Sequence, residues 1–430
     1  MEFLADKNIG NIELLYPYPR MVPVLQHFDH DHLVDPIQTL LTELQKPEIV
    51  SRLSLIKRGD YVAIGCGSRG ITNMVPLLQT LILQLKQRGA FPFVFPAMGS
   101  HGGGTAEGQR EILSGYGITE KTIRAPIRSS MDTVCIGYTD DERPTYLDAI
   151  AFQADHIVAI NRISAHTAFQ GPYESGIVKM MVIGMGKMKG AQAYHQNGFS
   201  EMASTIPKYG NVVLRNAPIL FGIGLIENAF QQTCKISVLP PSQILSEEPK
   251  LLSYAKSIKG RILFDSCDIL IVDNLGKDIS GEGMDPHVTG RFPTNLCESK
   301  FTAQKLVVLD ISKASHRNCY GVGLADITTR RLLECSDLHT MYLNARTNTV
   351  LDGVKIPMIC SNHQQAIQAA MATCLCQDPS RIRIIRIKNT REIDTILVSE
   401  SMLDFVHGND ALEVLEIPSD FNFNEDGNLF

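Results

Sequence analysis

The chain has no Cys-x-x-Cys pair, no apolar run of membrane-spanning length and no block of basic residues, and each absence removes a class of protein. Its ten cysteines are scattered from Cys66 to Cys376, whereas structural zinc or a disulfide framework needs tighter, paired spacing. They read as reduced thiols in a cytoplasm. The closest two, Cys374 and Cys376, would face apart on a helix. Without about 20 consecutive apolar residues, no helix is expected to span a membrane. Met1–Gly10 carries acids and no apolar core, so no secretory signal is expected. A net charge of -6 and the lack of a Lys/Arg-rich stretch argue against a nucleic-acid partner. What is present, 430 residues of which 44% are hydrophobic, suffices for two or three ordinary α/β domains.

The order of elements points to an α/β fold. Asp60–Cys66 is a short apolar run, read as a buried strand, and a glycine-rich loop at 65–70 follows it. Asn73–Lys86 has helical periodicity, with Met74, Leu77, Leu78, Leu81 and Leu85 on one side and Pro76 in the tolerant first turn. Phe91–Phe95 is the next strand, and Thr105 caps the next helix. His156–Asn161 repeats the pattern. Strand, loop and helix in this order imply a largely parallel sheet with right-handed crossovers. Ligands of such sheets sit in the loops at the carboxyl ends of strands. Arg69, His101 and His166 are therefore expected along one edge of one sheet. Near 257–261 the pattern restarts, with strands at Ile269–Asp273, Leu306–Asp310 and Arg383–Lys388 and a helix at Gln364–Cys376. The expectation is two α/β domains, 1–262 and 263–430, with the active site in the cleft between them. The polar tail Asp420–Phe430 is expected to fray.

Two stretches carry the chemistry. Ala97–Gly108 holds His101 between Ser100 and three glycines, and 161–195 holds His166, Lys179 and His195 in that order. Histidine moves protons near neutral pH and binds metals. A lysine in a dry pocket becomes a nucleophile, and Lys179, flanked by apolar residues on both sides, either snorkels out to water or has such a use. Gly67, Ser68, Arg69 and Gly70 form a loop able to cradle a phosphate, or merely a tight turn with a surface arginine; the spacing is neither Gly-x-Gly-x-x-Gly nor a P-loop. His195 has no second ligand nearby in sequence, so it reads by itself as a surface or structural histidine, and a metal there would need ligands from a cofactor. The His27–His32 cluster looks metal-like, but adjacent residues seldom aim at one centre, and it reads as a solvated loop. Lys277, Asp278 and Ser280 lie in a second glycine-rich loop, either facing a carboxylate substrate or serving as an ordinary turn.

These residues resemble the nickel-dependent lactate racemase family. The likeness is carried by Gly-Ser-Arg-Gly at 67–70, Gly-Ser-His-Gly-Gly at 99–103, the ordered His166, Lys179 and His195, and the loop at 276–286. The resemblance implies a nickel pincer nucleotide joined covalently to Lys179, with His195 on the nickel. Gly67, Ser68, Arg69 and Gly70 would bind the cofactor. His101 and His166 would take the hydroxyl proton, one for each enantiomer, while the C2 hydride passes to the cofactor and back. Arg69, Lys277, Asp278 and Ser280 would bind the substrate. The implied activity is a racemase or epimerase at C2 of a 2-hydroxy acid. Cys66–Gly70, the stretch between His166 and Lys179 and the second-domain loop depart from the lactate form, so a longer sugar acid stands beside lactate as substrate. Cofactor-synthesis proteins are implied partners, and a homo-oligomer is compatible. Two other classes stay open: a zinc-dependent hydrolase or lyase using His101, His166 and His195, and a non-catalytic nucleotide or sugar-acid binding protein.

Overall fold

The computed structural model describes residues 11–430 apart from 196 and 197 and the side chains of 195, 347 and 348. The chain forms two compact units: His30–Lys259, and the described residues up to Asp29 together with Gly260–Phe430.

The His30–Lys259 unit is built on a five-stranded sheet in the order Phe91–Pro96, Tyr61–Cys66, His156–Arg162, Ile219–Glu227, Thr233–Leu239. The first four strands are mutually parallel and the last is antiparallel. Strands covered on both faces need apolar residues throughout. Val62 and Ile64 accordingly enter one buried cluster and Ala63 the other, as Val158 and Ile160 alternate with Ile157 and Ala159. Helix Met74–Gln87 buries Met74, Leu77, Leu78, Leu81, Ile82 and Leu85, the stripe its periodicity predicts. Thr105 caps Ala106–Gly115 by accepting the Gly108 N–H at 3.1 Å.

The other unit holds an eight-stranded mixed sheet. Its parallel part runs Met358–Cys360, Ile327–Thr329, Thr302–Ile311, Ser266–Leu275, Ile384–Ile387. Thr395–Ser399, Met21–Gln26 and Leu412–Val414 continue it in antiparallel fashion. Met21–Gln26, which the sequence reading put in the first domain, thus belongs to the sheet of the second unit. The reason is tertiary: Met-Val-Pro-Val-Leu-Gln is a half-buried strand wherever it pairs, and its pattern does not name the partner.

The expectation of a frayed tail is corrected. The Gln364 N–H donates to Gly427 O at 2.9 Å and the Asn362 side-chain amide to Asp426 O at 2.8 Å. Phe421 and Phe423 stack with ring centres 5.6 Å apart and flank Tyr18 at 5.6 and 5.2 Å. Spaced aromatics bury area that a polar average conceals. Phe423→Ala should therefore lower the unfolding free energy by about 2 kcal/mol, less than the ~3–5 kcal/mol of a fully buried Phe. Urea unfolding followed by circular dichroism checks this, and an unchanged midpoint would show that the tail contributes nothing.

Candidate active site

In the parallel sheet, Tyr61–Cys66, Phe91–Pro96 and His156–Arg162 are neighbours and end on the same side. The loops leaving these ends carry Gly67–Gly70, His101 and His166. The Gly67–Gly70 loop lies against the Lys179 segment. A Cβ on Gly67 would stand 3.1 Å from Asn161 Oδ1 and 3.4 Å from Met180 Cε, and the Asn161 amide donates to Gly176 O at 2.9 Å. Arg69 and Gly70 are exposed, and the Tyr116 hydroxyl donates to Ser68 O at 3.3 Å. Cys66, directly before the loop, is fully buried, and burial pushes its thiol up to about 12, so it is inert.

The His101 loop is fixed from below. Gly102 adopts φ +67°, and a Cβ there would fall 2.5 Å from Gln109 N, so the turn admits only glycine. The Gln109 amide donates to Gly99 O at 2.9 Å and His101 O at 3.3 Å. Gln109 Oε1 accepts from Lys187 Nζ at 3.0 Å, and Lys187 also donates to Pro96 O at 2.5 Å. Lys187 forms an ion pair with Asp148 at 3.1 Å, both side chains being fully buried. Burial raises Asp148 and lowers Lys187, each opposed by the other's charge. The Gly99 N–H donates to Gly184 O at 3.0 Å, which ties the loop to the segment after Lys179.

His166 and Lys179 share an aromatic wall. The Phe169 ring centre is 4.3 Å from the His166 ring and 5.8 Å from Lys179 Nζ. Glu174, with no exposed surface, accepts the His166 N–H at 2.7 Å and the Gly171 N–H at 2.9 Å, and it is paired with Lys256 at 2.5 Å. A bridge between Ser164 and Ser175 closes this loop. Lys179 ends the short helical turn Ile177–Lys179 and is half-buried. Glu248 caps that turn: its carboxylate accepts the Val178 N–H at 2.9 Å, and it occupies the space that a Cβ on Gly176 would need. His195 ends the helix Lys187–His195; its side chain lies outside the described residues.

Lys277, Asp278 and Ser280 belong to the other unit, in the loop after Ser266–Leu275. The Lys277 ammonium lies 4.0 Å over the Tyr320 ring and donates to Gly281 O at 2.5 Å. Asp278 accepts from the Ser312 hydroxyl at 2.9 Å. The Ser280 N–H donates to Gly276 O at 3.1 Å, so this residue helps close the turn. In the His27–His32 cluster, His27 pairs with Glu413 at 3.1 Å and His30 stacks on Phe230 at 4.1 Å. Among the described residues, no group of three or more His, Cys, Asp or Glu is placed to hold a metal ion. No helix among them is long and apolar enough to cross a membrane.

Sequence reasoning missed Gln109, Asp148, Lys187, Glu174, Lys256 and Glu248. Gln109 had a signal: a polar residue four before Leu113 on the buried side of its helix. Lys187 and Glu174 had none, because a charged residue in a loop reads as solvated.

Loops leaving the ends of these parallel strands carry His101 and His166, and Lys179 follows His166 in the same stretch. Residues 17–206, which include every one of these groups, match the family described as the lactate racemase N-terminal domain. No curated protein matches the chain. Among solved structures, the chain is similar to the lactate racemase apoprotein from Thermoanaerobacterium thermosaccharolyticum, with 11% identity, a TM-score of 0.49 and coverage of 89% of this chain and 97% of that one.

The Glu248 cap carries a pH signature. Burial raises its carboxyl from the ordinary 4.5 to about 7, against the two N–H groups of Val178 and Ile177 that favour the anion. Folding therefore favours the protonated form, and the stability present below pH about 4.5 declines as pH rises through 7. Glu248→Gln should match the parent near pH 4.5 and be the more stable at pH 8. Denaturant midpoints at the two pH values check this, and a constant difference between the proteins would refute it.

Proposed function

We propose that this protein is a racemase or epimerase acting at C2 of a 2-hydroxy acid, through a nickel pincer nucleotide tethered to Lys179. The observation that carries the reading is the placement of Lys179 and His166 around one buried aromatic ring, within a lactate racemase N-terminal domain. The residues fit such a group. Lys179 is half-buried, with its Nζ 5.8 Å from the centre of the Phe169 ring, within reach of a bound group. The Gly67–Gly70 backbone packs flush against Asn161 and Tyr116, with no side chain in between. When bound, the cofactor supplies the acceptor and donor for the C2 hydrogen.

The chain's own residues do the rest. Lys179 is the tether and His195 the nickel ligand. His101 and His166 face the substrate hydroxyl. The exposed Arg69 offers a guanidinium fork to the substrate carboxylate or the nucleotide phosphate, and Gly67, Ser68 and Gly70 shape the loop around it. Lys277, Asp278 and Ser280 are the second unit's contribution to substrate binding. Lactate and longer sugar acids are the substrates to compare. A cytoplasmic setting and the help of cofactor-synthesis proteins belong to the same reading.

The test is intact mass and nickel content of protein made beside a pincer-synthesis system, with peptide mapping around residue 179. We expect a nucleotide-sized adduct on Lys179 and about one nickel per chain, both lost in Lys179→Ala. An adduct that survives in Lys179→Ala defeats the tether. In the loaded enzyme, His101→Ala and His166→Ala should each lose ~10²–10⁴-fold in kcat, the usual contribution of an acid/base group. Full activity in either variant removes that histidine from the reaction.

A further inference from the structure

We propose that Tyr173 is a positioning residue: its hydroxyl pins the segment between His166 and Lys179 to a helix carbonyl that Pro249 leaves without a backbone partner. This rests on the reading that His166 and Lys179 serve one site. Both imidazoles lean on the main chain. Nδ1 of His101 lies 2.7 Å from Met98 O, and Nδ1 of His166 accepts the Ala168 N–H at 3.1 Å. Placing His166 is therefore a matter of placing its loop.

Helix Pro241–Ser257 carries Pro249 in its interior. Each helical residue gives its N–H to the carbonyl four positions back, and proline has no N–H to give. Leu245 O thus lacks the donor that the helix would otherwise supply. The Tyr173 hydroxyl donates to this carbonyl at 2.6 Å. Main-chain carbonyls inside a fold need partners, and the loop provides one. An interior proline only weakens the helix itself. Its structural product here is an acceptor that the loop uses.

The same helix holds the loop at two further points. Leu245, Glu248, Leu252 and Lys256 follow one another at intervals of three and four, so they share one side of the helix. Glu248 takes the Val178 N–H at 2.9 Å, one residue before Lys179. Lys256 pairs with Glu174, which takes the His166 N–H at 2.7 Å. Helix Met202–Asn216 packs on the segment as well. A Cβ on Gly171 would fall 2.6 Å from Ala203 Cβ, and the one on Gly210 would fall 2.8 Å from Val178 Cγ1. Of the three anchors, Tyr173 is the neutral one, and its bond can be removed without stranding a buried charge.

Two variants break that bond from opposite ends. Tyr173→Phe deletes the donor. Pro249→Ala gives Leu245 O an in-helix N–H that competes with it, and alanine is the better helix former. Hydrogen exchange read by mass spectrometry on the cofactor-free protein compares loop 165–178 with helix Met74–Gln87. We expect the loop amides to exchange about fivefold faster in both variants, the equivalent of one net hydrogen bond, with the reference helix unchanged. Pro249→Ala should do this while its melting temperature holds or rises, which a merely structural bond would not allow. The double variant should exchange no faster than the faster single one. A fall in that temperature, unchanged loop exchange, or additive effects in the double variant overturns the proposal. In the loaded enzyme both single variants should lose about tenfold in kcat with KM little changed, because misplaced groups lose rate steeply. Full kcat in both overturns the positioning role. Should no adduct form at Lys179, the cofactor reading fails and the exchange results alone decide this one.

Discussion

The His101 loop and the strand ends beneath it depend on one buried ammonium. Lys187 touches the end of strand Phe91–Pro96 through Pro96 O, the helix after the His101 loop through Gln109, and the end of strand Pro144–Asp148 through Asp148. It also begins the helix that ends at His195. A fully buried charge is tolerated only when paired and fully hydrogen-bonded. Its three partners must therefore hold their places together, and removing one member of such a pair costs about 3–5 kcal/mol. Lys187 itself sits at φ +53°, a conformation that non-glycine residues seldom adopt. The strain and the desolvation are concentrated at one residue that joins the His101 loop to the helix ending at His195. Such a network is poorly explained as a source of stability, since an apolar replacement often stabilises as well. It is better explained by the geometric definition it gives to the Met98–His101 turn.

That definition reaches the chemistry through backbone groups. Met98 O and the Ala168 N–H are parts of turns whose shapes are set elsewhere, by Gln109 in one loop and Glu174 in the other. A side-chain partner could rotate away from an imidazole; a peptide group in a closed turn cannot. This is why the glycines matter chemically as well as sterically. Gly102 allows the tight return over Gln109, and Gly176 leaves room for the Glu248 carboxylate that caps the Lys179 turn.

How much of this was legible in the sequence follows from the range of the forces involved. The strands at Tyr61–Cys66, Phe91–Pro96 and His156–Arg162, the helix at Met74–Gln87 and the cap at Thr105 all express local periodicity and hydrogen bonding, and the chain spells these out within a dozen residues. The gathering of Arg69, His101 and His166 at neighbouring strand ends follows from parallel topology alone. The pairing of Met21–Gln26 with Thr395–Ser399, and of the tail with Tyr18, joins segments at opposite ends of the chain, where pattern cannot name a partner. The buried charges were invisible for the opposite reason. Lys187 and Glu174 look like ordinary loop residues until a fold encloses them.

Two of those buried carboxylates solve the same problem in different ways. Glu174 takes two backbone N–H groups and an ammonium, Lys256. Glu248 takes backbone N–H groups, and among the described residues it has no ammonium partner. Its remedy is a proton: burial lifts it to about 7, so near neutrality the cap is shared between a charged and a neutral form. The loop that orients His166 is thus held by fixed charges, whereas the turn that presents Lys179 is held by a group that titrates within the working range of most enzymes.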